Sequence, residues 1–255
     1  MRHLLAALAA FIMITGGAYS APAADRAIVI LDASGSMWAQ IDGRTRIDIA
    51  RESLGAVLAG VSPDLELGFV AYGHRTKGDC KDIELMVPPA PGTADQIAKA
   101  AAGLSPKGKT PLTDAVRQAA DALKYTENKA TVILITDGIE TCDADPCALA
   151  SDLAAKGVDL KVNVVGFGLS AADGEKVKCL ADNTHGVYVD AQDSDGLKNA
   201  IQVAVDQTPA PAPEPTPPPP APEPPAFNFA PSAVMVEGGD PLLEGAGNIA
   251  WEFYK

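Results

Sequence analysis

The sequence predicts an α/β fold: a doubly wound, mostly parallel sheet with one antiparallel edge strand. Three observations point to it. Short apolar runs between polar flanks, Ile28–Leu31 and Ala130–Thr136 above all, mark strands covered on both faces. These runs alternate with segments of helical periodicity, the order of βαβ units rather than of a sandwich or a bundle. Two of the runs also end in an acid, Asp32 and Asp137, at the strand ends where open α/β sheets bind ligands.

Taken in order, Ile28–Leu31 leads into Asp32-Ala33-Ser34-Gly35-Ser36. Gly35 is expected to bend the chain tightly, so that Ser34 and Ser36 aim their hydroxyls at one point. After a polar loop, Trp38–Arg46, a helix is expected from Ile47 to Leu58, where Ile47, Ala50, Leu54, Val57 and Leu58 recur at helical spacing. Leu65–Tyr72 reads as a strand, and Gly73–Lys81 as a basic, glycine-rich loop. Asp82–Val87 alternates like a half-exposed strand. Its short link to Leu65–Tyr72 predicts an antiparallel hairpin at the sheet edge, ended by Pro88–Pro91. Ala94–Leu104 is helical, and a second helix runs from Pro111, which suits a first turn, through Lys124. Ala130–Thr136 is the most apolar strand and is placed at the sheet centre. A helix stopped by Gly157, a strand at Leu160–Phe167, a helix at Ala171–Asn183, a strand at Val187–Val189 and a helix at Asp195–Val205 complete one domain over residues 25–206.

The ends of the chain are different material. Arg2 and His3, then the apolar stretch Leu4–Ile14 and small residues to Ser20, have the layout of a secretory signal peptide over residues 1–20. The apolar stretch is shorter than the roughly 20 residues a membrane span needs. No transmembrane span is expected after signal cleavage, and the mature protein is expected to be periplasmic or secreted. Residues 207–226 form a linker: 11 of the 19 residues from Thr208 to Ala226 are proline, a composition that extends as polyproline II and packs no core. Residues 227–255 alternate at Phe227/Phe229 and Val234/Val236, and read as the start of a truncated β domain.

The charge balance is acidic, 20 Lys+Arg against 33 Asp+Glu, for a net charge of −13. That argues against nucleic acid and anionic membrane surfaces as partners, but not against cations. Export gives the four cysteines, Cys80, Cys142, Cys147 and Cys179, an oxidising compartment, and an even count there means disulfides. Three pairings are possible and the sequence leaves the connectivity open. The placement of the loops and helices gives a preference for Cys80 with Cys142 and Cys147 with Cys179. Zinc fits poorly, because Cys142 and Cys147 lack knuckle spacing and no histidine pattern accompanies them.

The chemistry gathers at the sheet edge. Ser34 and Ser36 bring two hydroxyls next to Asp32, Thr110 precedes a helix on the same edge, and Asp137 ends the central strand. Singly, each has an ordinary reading as a cap, a turn or a helix start. Together they make an all-oxygen set, which suits Mg²⁺ or Mn²⁺ better than Zn²⁺.

At these residues the chain resembles a known family. Asp32-x-Ser34-x-Ser36, Thr110-Pro111-Leu112 and Thr136-Asp137-Gly138 look like the metal-ion-dependent adhesion site of von Willebrand factor type A domains. All the motif positions are filled and in order, and the resemblance covers most of residues 26–205. Gly73-His74-Arg75 and Thr141–Cys147 resemble a bacterial exported subgroup. The resemblance implies that Ser34, Ser36 and Thr110 bind the metal directly, with Asp32 and Asp137 acting directly or through water. It further implies a non-enzymatic module that captures a protein ligand offering a carboxylate. From their loops on the same edge, Trp38, His74, Glu140 and Asp143 are expected to line the rim. The alternative is a metal-dependent hydrolase acting on phosphate or ester substrates. The mature chain offers only His74 and His185 to a proton-transfer mechanism.

Overall fold

The strand that carries the first acid, β1 (Arg26–Asp32), lies at the heart of the molecule and is buried along nearly all its length. The computed structural model describes residues 26–208. The expected signal peptide over residues 1–20, residues 209–226 of the proline-rich stretch and the expected β-domain start over residues 227–255 lie outside the described residues.

Beyond β1 come a turn of 3-10 helix (Gly35–Trp38), the two-residue strands β2 (Gln40–Ile41) and β3 (Arg44–Thr45), and helix α1 (Arg46–Leu58). Then follow β4 (Glu66–Tyr72), β5 (Ile83–Ala90), α2 (Ala94–Ala102), α3 (Leu112–Ala122) and β6 (Lys129–Thr136). The chain continues through α4 (Pro146–Lys156), β7 (Asp159–Phe167), α5 (Ala171–Asp182), β8 (Tyr188–Ala191) and α6 (Ser194–Asp206). The main sheet has the order β5-β4-β1-β6-β7-β8. Every neighbour pair is parallel except β4 with β5. The expected doubly wound sheet with an antiparallel edge hairpin is therefore present, and β6 is central as expected.

Side-chain alternation along β1 builds two cores. Ala27, Val29 and Leu31 pack with Ile47, Leu54 and Val57 of α1 and with Leu197 and Ile201 of α6. Ile28 and Ile30 pack on the other face with Val116 and Ala119 of α3, Leu153 of α4 and Leu180 of α5. Truncating a fully buried residue such as Ile28 to Ala would cost about 2–5 kcal/mol, since no neighbour can fill the hole completely.

This winding creates the site. From β1 the chain works outward to β4 and β5, then crosses back to β6 on the other side of β1. The segment after β1 leads to α1 on one face, and the segment after β6 leads to α4 on the other. The two segments diverge, and a crevice opens at the carboxyl ends of β1 and β6.

Three local expectations are corrected. β5 runs on through Pro88 and Pro89 to Ala90. It is an edge strand, so its free side needs no N–H donors, and a register shift sits opposite Leu67–Val70. The polar loop Trp38–Arg46 holds a tiny hairpin, with Asp42 and Gly43 both at positive φ, 51° and 79°. That Asp-Gly pair is a hairpin signal in its own right. Gly35 lies in an ordinary helical turn, where an added Cβ would come no closer than 3.7 Å to Gly108 O. The tight approach is at Gly73, whose φ is +70° and where a Cβ would fall 2.7 Å from Lys109 O and 2.9 Å from Ser34 Cα. Glycine is needed there.

Candidate metal centre

Asp32 is fully buried at the end of β1. One carboxylate oxygen, Oδ1, accepts the Ser34 backbone N–H at 2.7 Å, which turns the chain so that the serine hydroxyls lie beyond the acid. The other, Oδ2, accepts the Thr136 hydroxyl at 2.7 Å, and Tyr72 donates to that hydroxyl at 3.2 Å. The three neighbouring strands thus fix the acid from below.

Beyond it, Ser34 Oγ and Ser36 Oγ are 2.9 Å apart, and Ser36 Oγ donates to Asp137 Oδ1 at 2.6 Å. The serine turn is held from the side by Gly35 N–H donating to Gly108 O at 3.0 Å. Thr110 lines the same open cleft as Ser34 and Ser36. Gly138 keeps this cleft open: a methyl there would sit 3.7 Å from Ser36 Oγ and 3.8 Å from Thr110 Oγ1. The structure therefore brings Asp32, Ser34, Ser36, Thr110 and Asp137 to one spot.

Thr141 positions Thr110. Its hydroxyl accepts the Thr110 N–H at 2.8 Å, and its own N–H donates to Thr110 O at 3.2 Å. The next residue, Cys142, is bonded to Cys80, with Cα atoms 5.7 Å apart. Cys147 is bonded to Cys179 at 5.3 Å, which ties α4 to α5. These are the preferred pairings, and no described cysteine is free. The first bridge ties the loop after β6, which borders the cleft, to the loop between β4 and β5.

Arg46 is the residue that sequence reasoning missed. Its Nη1 lies 2.9 Å from Asp137 Oδ2, and its Nη2 donates to Gly168 O at 3.1 Å. It is the first residue of α1, where a cation opposes the helix dipole. That misplaced charge was the available signal. Thr136 and Thr141 stand in the quoted motifs, but their roles in holding Asp32 and Thr110 were missed, because those hydrogen bonds depend on strand register and loop path.

The rim is rearranged relative to expectation. Trp38 is 51% exposed, and its indole N–H donates to Pro106 O at 2.9 Å. His74 pairs with Glu84 at 3.1 Å. Glu140 does not face outward freely: it accepts the N–H groups of Thr113 and Cys142 at 2.8 and 2.7 Å, capping the start of α3. Asp145 caps α4 through Cys147 N and Ala148 N. Asp143, at φ 59°, stays exposed.

The electrostatics fit a cation. Burial, and then the Asp137 charge, push the Asp32 carboxyl up to about 6. Burial pushes Asp137 up as well, against the pull of Ser36 and Arg46. Burial and then the Asp32 charge hold the Tyr72 phenol well above its ordinary value. Negative charge is thus held out of water with one guanidinium to answer it, and a divalent cation among the hydroxyls would relieve it. Among the described residues no three His, Cys, Asp or Glu side chains are grouped to hold a metal. Any metal here must depend on the serine and threonine oxygens, a donor set for a hard cation.

The fold has known relatives. Residues 27–140 match the family model described as von Willebrand factor type A domain. The uncharacterized protein YwmD of Bacillus subtilis (strain 168) is 32% identical over 184 residues, covering 68% of this chain and 81% of that protein. Among solved structures, the von Willebrand factor type A from Catenulispora acidiphila superposes with TM-score 0.58 at 18% identity, over 72% of this chain and 42% of its own. The pilus adhesin SpaC from Lactobacillus rhamnosus GG gives 0.59 at 16% identity, over 72% of this chain and 30% of its own. At such identities the structural likeness speaks for the fold alone. Among the described residues no helix is long and apolar enough to cross a membrane.

Proposed function

The chain belongs to the von Willebrand factor type A domain family, and on that premise we propose that it is an exported protein-binding module that captures an acidic group of a partner through Mg²⁺ or Mn²⁺. The observation that carries this reading is the hydroxyl pair of Ser34 and Ser36, 2.9 Å apart, between the buried Asp32 and Asp137 at the mouth of an open cleft. Ser34, Ser36 and Thr110 would hold the cation with neutral oxygens, and Asp32 and Asp137 directly or through water. When bound, the cation supplies a positive charge for an incoming carboxylate. Arg46 already answers one of the two acids, so a divalent charge is left in excess, and the excess attracts an anion. The two disulfides support an oxidising compartment. The fold likeness to a pilus adhesin agrees with a protein partner.

Hydrolysis of a phosphate or ester is the competing reading. The residues offer little to it. His74 Nε2 is engaged by Glu84, and His185 lies in an exposed turn at φ 57°. Neither is paired with a serine as an activated nucleophile requires. A two-part test separates the readings. A carboxylate-bearing ligand should bind in Mg²⁺ and be released by EDTA, while generic phosphate and ester substrates should be left intact. Mg²⁺-dependent turnover that is lost in Asp32→Ala would overturn the binding reading.

A further inference from the structure

Beside the hydroxyl cluster, two loops are laced together. Lys107 N–H and Gly108 N–H both donate to Gly73 O, at 2.9 and 2.8 Å, and Gly108 N and O reach Gly73 and Gly35 in turn. An added Cβ at Gly108 would fall 2.8 Å from Thr76 O, so the loop after β4 and the loop before α3 are in backbone contact. Asp82 stiffens the first loop by accepting Arg75 N at 2.7 Å and Thr76 N at 2.8 Å. The two loops behave as one shelf.

The shelf is cationic in an acidic protein. Lys77, Lys107 and Lys109 are exposed and have no ion-pair partner among the described residues. Arg75 is already committed to Asp82 and Glu84. Lys109 lines the cleft beside Thr110. Trp38 closes the arrangement. It ends the turn that carries Ser34 and Ser36, and its hydrogen bond to Pro106 O pins it against the loop holding Lys107 and Lys109. It is the aromatic side chain left exposed among the described residues. In the neighbouring loop, bridged to the shelf through Cys80–Cys142, Glu140 and Asp145 are turned to backbone N–H groups, and Asp143 remains exposed. A partner therefore meets three exposed lysines without ion-pair partners among the described residues, two of them on the loop that Trp38 abuts, and little free negative charge from the loop beside them.

We propose that the partner presents an acidic peptide segment rather than a lone carboxylate: one carboxylate enters the cleft, an apolar or aromatic residue covers Trp38, and further acids lie along Lys77, Lys107 and Lys109. This rests on the metal-capture reading for its first contact, while the shelf supplies orientation and register. Exposed lysines act mainly by raising the association rate and by choosing the partner's charge pattern, an effect that salt weakens.

The test uses the full chain with its disulfides formed and a labelled peptide of glutamates interspersed with phenylalanine, in Mg²⁺ at low salt. The controls are the same peptide with Gln for Glu, free acetate, and polyphosphate. The wild type should bind the acidic peptide far better than acetate or the Gln peptide. Lys77→Gln/Lys107→Gln/Lys109→Gln should weaken it about tenfold and flatten the salt dependence. Trp38→Ala should weaken it about threefold or more. Mn²⁺ affinity in the lysine variant should be unchanged or tighter, because removing positive charge favours a cation. A weaker peptide complex then reports on the shelf and not on a lost metal. Full peptide affinity in the lysine variant, or no preference for the acidic peptide over the Gln peptide, would overturn the proposal. Equal binding of polyphosphate would overturn the assignment to a peptide. Binding that survives EDTA but fails in the lysine variant would uphold the shelf and instead sink metal capture.

Discussion

Arg46 reaches from the first turn of α1 to hold Asp137 at the end of β6, Nη1 to Oδ2 at 2.9 Å, with Asp137 buried and Arg46 19% exposed. Thr45, the residue before it, caps the helix by accepting Asp48 N–H. One short stretch therefore starts the helix, aims the guanidinium and orients an acid 91 residues away. The pair explains how two buried carboxylates coexist before any metal arrives.

Replacing Arg46 by Met keeps much of the side-chain volume but leaves Asp137 buried and unanswered. Breaking such a pair costs about 3–5 kcal/mol when both groups are buried, and about 2–4 kcal/mol is expected here because Arg46 is partly wet. Mg²⁺ should recover more stability in Arg46→Met than it adds to the wild type, since it replaces the missing charge. Urea unfolding with Mg²⁺ and with EDTA measures both. An equal Mg²⁺ gain in the two proteins would place the metal away from Asp137.

Asp32 makes the metal-free protein sensitive to pH. Its carboxyl is raised from 3.8 to about 6, chiefly by burial. The folded state then holds a proton that the unfolded chain releases. The associated stability is complete below 3.8 and is lost as pH rises through about 6, a difference of ~3 kcal/mol. Asp82 runs the other way. Burial pushes it up, but the Arg75 guanidinium and the N–H groups of Thr76 and Arg75 hold it below its usual value, so its contribution is lost as pH falls. The comparison must therefore be with Asp32→Asn. In EDTA, wild type should lose ~3 kcal/mol relative to Asp32→Asn between about pH 4 and about pH 7. A flat difference would mean that Asp32 is not raised.

The two disulfides should differ in what they protect. They close segments of 62 and 32 residues. Doubling a loop adds only about 0.6 kcal/mol of closure entropy, so both should contribute similarly, about 2–4 kcal/mol. Metal affinity separates them. Cys142 adjoins Thr141, which holds both backbone groups of Thr110. Cys80→Ser/Cys142→Ser should weaken Mn²⁺ binding about tenfold, the effect of losing a partner that orients a ligand. Cys147→Ser/Cys179→Ser should leave it unchanged. Calorimetric titration of each variant decides, and equal affinities would detach the bridge from the site.

Much of this was legible in the residues. The apolar runs at Ile28–Leu31 and Ala130–Thr136 could be little other than covered strands, and their terminal acids fixed the edge of interest. Gathering Ser34, Ser36, Thr110 and Asp137 followed from placing strand ends and loops on one sheet edge, together with the family resemblance of their motifs. What stayed hidden depends on packing between distant segments. Thr136 and Thr141 act through hydrogen bonds set by register and by loop path, and Arg46 acts over 91 residues of sequence. Gly73 and Gly108 carry no signal in the sequence beyond that of a loop, although their lack of a side chain is what lets two loops touch. The prolines of β5 hid three strand residues, Pro88 to Ala90, because a strand at an edge is exempt from the rule that proline ends it.

The central claim is that Asp32, Ser34, Ser36, Thr110 and Asp137 hold one hard divalent cation. Titration of the metal-free protein with Mn²⁺, followed by electron paramagnetic resonance, counts bound ions directly. The wild type should bind one ion per chain, displaced by Mg²⁺. Asp32→Ala and Thr110→Ala should bind it at least about tenfold more weakly, while Thr110→Ala keeps the melting temperature of the metal-free wild type. Tight Mn²⁺ binding that persists in both variants, or no binding by the wild type, would contradict the account.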